Sequence, residues 1–163
     1  KREMGGGVML DMGVYAIQGA RLGTGMEPLS VVSAQTSTTR PEIYKDGLAE
    51  TAIATLEFPG GVMANIKTSF GENINFLNIY CEKGDIKMEP YSGYAGLKGS
   101  SPLGEINTSY EVPWQQANQM DDDALSIMQG KPMLVPGEEG QRDIRIVEAI
   151  LRSAATGQAV SLV

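Results

Sequence analysis

At 163 residues the chain is long enough to bury something like 70% of its unfolded surface, so one domain with a real core is available to it. Hydrophobic residues make up 42% and charged residues 20%, and no apolar run approaches the roughly 20 residues that span a bilayer, which excludes a transmembrane helix. The 20 acids outnumber the 13 bases for a formal charge of -7, a field that repels phosphate backbones and anionic lipid and argues against nucleic acid or a membrane as partner.

With Cys81 as the single cysteine no intrachain disulfide can form, and with no histidine the usual zinc and haem ligand sets are missing, so no metal is expected. Cys81 sits in an apolar strand pattern and is expected to be a small buried hydrophobe. Lys1-Arg2-Glu3 carries no secretory signal. The chain therefore reads as a cytoplasmic piece of a longer protein.

The first pattern is Gly5-Gly6-Gly7-Val8-Met9-Leu10-Asp11-Met12-Gly13-Val14-Tyr15. Leu10, Val14 and Ile17 recur at helical spacing and should face a core, while Asp11, Tyr15 and Gln18 share another face. A carboxylate and a phenol one turn apart, beside backbone bare enough for a ligand to approach, make a candidate chemical site. Spacing alone leaves a second reading open. A half-buried tyrosine near a helix start can simply be tied to a neighbour, and an acid there suits the helix dipole.

Gly23-Thr24-Gly25 and Glu27-Pro28 should stop this helix, and Ser30 to Thr39 reads as a strand ended by Arg40-Pro41. Residues 41–48 read as a polar connection. Alternation from Ala49 to Phe58 places Ala52, Ala54, Leu56 and Phe58 on one face, and Pro59-Gly60-Gly61 turns the chain into a returning strand with Val62, Ala64 and Ile66. Further strands are expected at Ile74 to Glu82, Ile86 to Met88 and Glu105 to Val112, the last with Ile106, Thr108, Tyr110 and Val112 inward and closed by Pro113.

Pro90 to Gly104, rich in glycine and holding Tyr91 and Tyr94, reads as the main irregular stretch. A helix follows with Ala117, Met120, Ala124, Ile127 and Met128 as core positions. Asp121-Asp122-Asp123 lies within it and reads as a solvated face, since no acids follow at cation-loop spacing. The last helix opens with Glu138 and Glu139 and should bury Ile144, Val147, Ile150, Leu151 and Ala154. The fold class expected is α+β, an open and mostly antiparallel sheet with helices on one face.

The string G-G-G-x-x-x-D-x-G-x-Y resembles the start of the C-terminal domain of the Gfo/Idh/MocA oxidoreductases, and its tyrosine is similar to the glucose-fructose oxidoreductase and dihydrodiol dehydrogenase branch. Most of that family has histidine at this position. Pro136-Gly137-Glu138-Glu139-Gly140-Gln141-Arg142-Asp143 and the helix after it resemble the family's P-G-E-E-G-x-x-D segment, and Phe58-Pro59-Gly60-Gly61 and the Gln119-x-Asp121 helix also fit.

The resemblance implies that residues 1–163 are a C-terminal substrate-binding and oligomerisation domain. Hydride would pass between NAD or NADP, bound mainly by a dinucleotide-binding domain absent from this chain, and a sugar, polyol or related cyclic alcohol. Tyr15 is then the expected acid-base residue and Asp11 its orienting partner. Gly7, Gln18 and Tyr94, the last in a loop matched only loosely, are expected on the substrate.

Tyrosine is a poor base at its ordinary pKa of about 10 and needs a nearby cation. In the resembled family that cation is a lysine in an E-K-P motif. Neither that motif nor a G-x-G-x-x-G fingerprint after a strand occurs here, so the isolated chain should be inactive. The resemblance also implies assembly into a homo-oligomer, a dimer or larger, through the open sheet face, which would account for apolar residues on both faces of the strands. A non-catalytic carbohydrate-binding or dimerisation module is the alternative, and a wholly structural domain a third.

Overall fold

The computed structural model describes residues 5–109 and 114–163. Two compact units divide the chain, one made of the residues up to Ile74 together with Gly140–Val163, the other of Asn75–Glu139. The α+β expectation is met by helices and two antiparallel sheets of four strands each.

The first unit opens with a wide π turn, Met9–Gly13, that runs directly into helix α1, Val14–Thr24. Gly25, at φ 65°, ends α1 and donates its N–H to the Arg21 carbonyl at 2.9 Å. Only glycine adopts that left-handed geometry without strain, so the break falls where the Gly-Thr-Gly sequence put it.

Strands β1 (Ser30–Ser37), β2 (Thr51–Phe58), β3 (Val62–Ser69) and β8 (Val160–Ser161) form the first sheet in the order β3-β2-β1-β8. β2 alternates as expected, with Ala52, Ala54, Leu56 and Phe58 all buried. Phe58 pairs with Val62 across Pro59-Gly60-Gly61, whose two glycines have φ 76° and 77°.

That face of the sheet is covered by Val8, Met9 and Ile17 from the first helical segment and by Ile146, Val147 and Ile150 from α3, Gly137–Thr156. Leu10 and Val14 pack at its margin. Each fully buried Leu, Ile or Phe contributes on the order of 1.5–3 kcal/mol, so this single layer supplies most of the unit's stability. Outward, Val32, Ile53 and Met63 are 40–48% exposed.

The buried face of α3 differs from expectation. Asp143, Ile146, Val147, Ala149, Ile150 and Ser153 are buried, whereas Ile144 and Leu151 are 40% and 38% exposed and Ala154 is half-buried. The hydrophobic stripe misjudged the rotation because small Ala149 and Ser153 sit on the inner face, and Asp143 is drawn inward by an arginine of α1.

In the second unit, β4 (Leu77–Ile79), β5 (Ile86–Met88), β6 (Gly96–Ser101) and β7 (Gly104–Ser109) pair in sequence order. β4 is shorter than the expected Ile74 to Glu82, and Cys81 therefore falls in the following turn, where its carbonyl accepts the Gly84 N–H at 3.1 Å. It is exposed, not buried.

Half of the supposedly irregular stretch is strand. Glycine there signals close backbone approach instead of a loop. A Cβ on Gly96 would stand 1.9 Å from the Thr108 carbonyl oxygen, and one on Gly99 would stand 2.1 Å from that of Lys87. Tyr110, Val112 and Pro113, expected to finish β7, lie outside the described residues.

Helix α2, Trp114–Gln129, forms as predicted but buries none of its described side chains. Met120, Ile127 and Met128, read as core positions, are 69–82% exposed. Periodicity reports that a helix has an apolar stripe; it does not report what surface covers it.

Candidate functional site

The glycine triplet is shaped by backbone conformation. Gly5 and Gly7 have φ 70° and 109°, a region that side chains disfavour. The chain is then pinned by Val8, which is fully buried and donates its N–H to the Ala49 carbonyl at 3.2 Å. Gly13 is buried under Met9, whose Cε would lie 2.6 Å from any Cβ there, and this packing seats the wide turn between Gly7 and α1. Such π turns are frequent where helices carry functional groups.

An open cleft of about 460 Å³ lies over this segment, within the size range of small-molecule sites. Gly5, Gly6, Gly7, Leu10 and Asp11 line one part of it. Ile43, Tyr44, Leu48 and Phe70 line the rest. Asp11 is thus exposed on the cleft. Tyr15 is 46% exposed on the next turn but is not among the lining residues.

Ile43, Tyr44 and Leu48 fall in the stretch expected to be a polar connection, and Phe70 follows the returning strand with no role expected for it. The signal in the sequence was Ile43-Tyr44, an apolar pair inside an otherwise polar segment. The Tyr44 and Phe70 rings stack with centroids 5.9 Å apart and planes 9° from parallel, and the Arg40 guanidinium stands 5.5 Å from the Tyr44 centroid.

Glu50 holds this wall together. Its buried carboxylate accepts hydrogen bonds from Arg40 Nε at 2.9 Å and from Arg40 Nη2, from the Thr39 N–H at 2.9 Å and from the Thr39 hydroxyl at 3.0 Å. The Thr38 hydroxyl, just past the end of β1, also donates to Glu50 at 3.3 Å. The Glu50 backbone carbonyl accepts the Phe70 N–H at 3.0 Å. The Arg40 guanidinium, followed by the Thr39 N–H, holds the Glu50 carboxyl down at about 2, well below the usual carboxylate range, and the same pairing raises Arg40. A Cβ on Gly71 would stand 2.7 Å from Glu50 Oε1 and would press on the carboxylate that Arg40 and Thr39 hold.

Gln18 belongs to a different cluster. Its side-chain amide donates to Asp143 Oδ2 at 2.7 Å, while Arg21 Nη1 donates to Asp143 Oδ1 at 2.9 Å. Arg21 also grips Glu27 through Nε at 2.9 Å and Nη2 at 2.6 Å, which lowers the Glu27 pKa. Asp143, the acid of the P-G-E-E-G-x-x-D string, therefore joins α3 to α1. Tyr94, in the second unit, is 63% exposed just before β6. Asp121 and Asp122 are exposed, and the described residues contain no group of three or more metal-ligating side chains.

Residues 1–87 match the profile of the Gfo/Idh/MocA C-terminal domain. The chain belongs to that family. Among its relatives is a D-xylose 1-dehydrogenase [NADP(+)] of Haloarcula marismortui, 23% identical over 97% of this chain and 44% of the other. The aldose-aldose oxidoreductase of Caulobacter crescentus, solved with glycerol, superposes with a TM-score of 0.81 at 31% identity over 97% of this chain and 48% of that one. Levoglucosan dehydrogenase, solved with NADH and levoglucosan, shares the fold with a TM-score of 0.78 at 18% identity, covering 96% of this chain and 50% of that one. The chain thus spans about half the length of these Gfo/Idh/MocA relatives. No helix among the described residues is long and apolar enough to cross a membrane.

Proposed function

We propose that this chain is the C-terminal, substrate-binding and oligomerisation domain, residues 1–163, of an NAD(P)-dependent oxidoreductase that moves hydride between nicotinamide and a sugar, polyol or related cyclic alcohol. The observation that carries it is the placement of Asp11 on an open cleft beside the glycine triplet, with the half-exposed phenol of Tyr15 on the next turn, in a chain of this family. Oxidation of a secondary alcohol requires that the carbon be held and that its hydroxyl proton be removed. Tyr15 takes or returns that proton. Asp11 orients the phenol or a neighbouring hydroxyl, and Gly7 admits the substrate to the backbone.

Gln18, with its amide donor held by Asp143, offers its oxygen to a further hydroxyl, and Tyr94 belongs to the same proposal as an exposed phenol on the loop before β6. A dinucleotide cradle needs a parallel strand, a glycine loop and a helix N-terminus. Every strand pairing among the described residues is antiparallel, so these residues do not fit the dinucleotide and we assign it, NAD or NADP, to the remainder of a longer, cytoplasmic polypeptide. Alone, the 163 residues are inactive. The apolar outward side chains Val32, Ile53 and Met63 support homo-oligomerisation through the open sheet.

The test is Tyr15→Phe in the full-length enzyme. Turnover should fall at least a hundredfold, within the 10² to 10⁴ typical of general acid-base catalysis, while affinity for the reduced cofactor stays unchanged. A rate equal to wild type would refute the assignment.

A further inference from the structure

Hydride transfer makes no use of the cleft's aromatic wall. We propose that the Tyr44–Phe70 pair is a platform for the apolar C–H face of a pyranose ring, so that the site selects cyclic sugars over open-chain polyols. This rests on the oxidoreductase reading and narrows its substrate.

Three observations carry it. The rings are nearly parallel, and Phe70, which lines the cleft, keeps 40% of its surface exposed. An aromatic face is electron-rich, and the C–H bonds gathered on one side of a pyranose chair are the apolar, electropositive part of a sugar. An open-chain polyol has no such rigid face. The same cleft is lined by the Asp11 carboxylate and by the triplet's backbone, groups able to take the hydroxyls around the ring's edge.

The platform is also fixed before any ligand arrives. Arg40 lies over Tyr44 and is held by the Glu50 carboxylate, and Phe70 donates its backbone N–H to the Glu50 carbonyl. Both rings are therefore supported by one buried residue, which lowers the ordering cost of binding.

Phe70→Leu keeps an apolar group but removes the aromatic face, and since Phe70 is partly exposed the substitution opens no core cavity. In the full-length enzyme, kcat/KM for D-glucose relative to sorbitol should fall about threefold to tenfold, through KM. Tyr44→Leu should act in the same direction. Saturation-transfer NMR on the wild-type protein should show transfer to the ring C–H protons of methyl β-D-glucopyranoside and none to sorbitol, with the signal lost in Phe70→Leu.

An unchanged glucose-to-sorbitol ratio in both variants overturns the platform while leaving the oxidoreductase reading intact. Methyl glucoside binding that depends on Phe70, in an enzyme that turns over no sugar with either nucleotide, supports the platform and overturns the reading. Equal transfer to glucoside and sorbitol overturns the selectivity.

Discussion

Glu50→Gln tests whether the cleft wall is electrostatically buttressed as described. In the folded protein the carboxyl is held at about 2, against 4.5 for the ordinary group, and Arg40 is the largest cause. A depressed carboxyl stabilises the fold above the unfolded pKa, and that stabilisation is lost as pH falls from 4.5 through about 2. Midway in that window the unfolded side chain is almost fully protonated and the folded one almost fully ionised. Unfolding there takes up roughly one proton at this single residue.

The amide variant cannot ionise and should lose that proton. The assay is urea unfolding followed by circular dichroism, at half-unit steps from pH 6 to pH 2.5, for both proteins. Wild type should be the more stable at pH 6, and the difference should shrink as the pH falls through the window. Parallel curves, with a constant difference down to pH 2.5, would refute the claim that Arg40 and Thr39 hold an ionised carboxylate.

Two further outcomes follow from packing. Leu56→Ala removes a fully buried side chain from the centre of the first sheet and should cost about 2–5 kcal/mol in urea unfolding; a loss well under 1 kcal/mol would mean the layer is not packed as described. Gly96→Ala, at φ 135° with a Cβ driven against the Thr108 carbonyl, should cost about 1–3 kcal/mol from backbone strain alone and speed amide exchange along Gly96–Ser101. Wild-type exchange rates there would show that β6 and β7 do not approach so closely.

What could be read from the sequence depended on whether a residue's environment is set by its neighbours in the chain. β2 and its hairpin were legible because period-two alternation and Pro59-Gly60-Gly61 are local signals. The first helical segment was legible for the same reason, with Ile17 inside and Asp11 on the outside, but the wide turn within it was not, and the segment buries Val8 and Met9 while leaving Leu10 and Val14 at the margin. β6 was missed because glycines serving close strand approach look the same in sequence as glycines serving a loop. The rotation of α3 was missed because a buried acid, Asp143, contributes nothing to a count of apolar residues.

For the site the division is similar. The glycine triplet and Asp11 could be found from spacing and resemblance. Tyr44, Phe70 and Glu50 could not, since their meeting depends on β-sheet register bringing residues 40, 50 and 70 together. Glu50 falls on the same alternating face as Ala52, Ala54, Leu56 and Phe58, and that was the available clue, as a charge on the inner face must be matched by something.

The Arg21–Asp143 pair joins positions 122 residues apart. During synthesis the segment bearing Asp11 and Tyr15 emerges well before α3, so its arginine meets this acid only after the residues between them have been made. Until then a guanidinium destined for the interior lacks this buried carboxylate. Helix α1, translated well before α3, is thus tied down only when α3 arrives, and a nascent chain stalled before residue 143 would hold it without that tie.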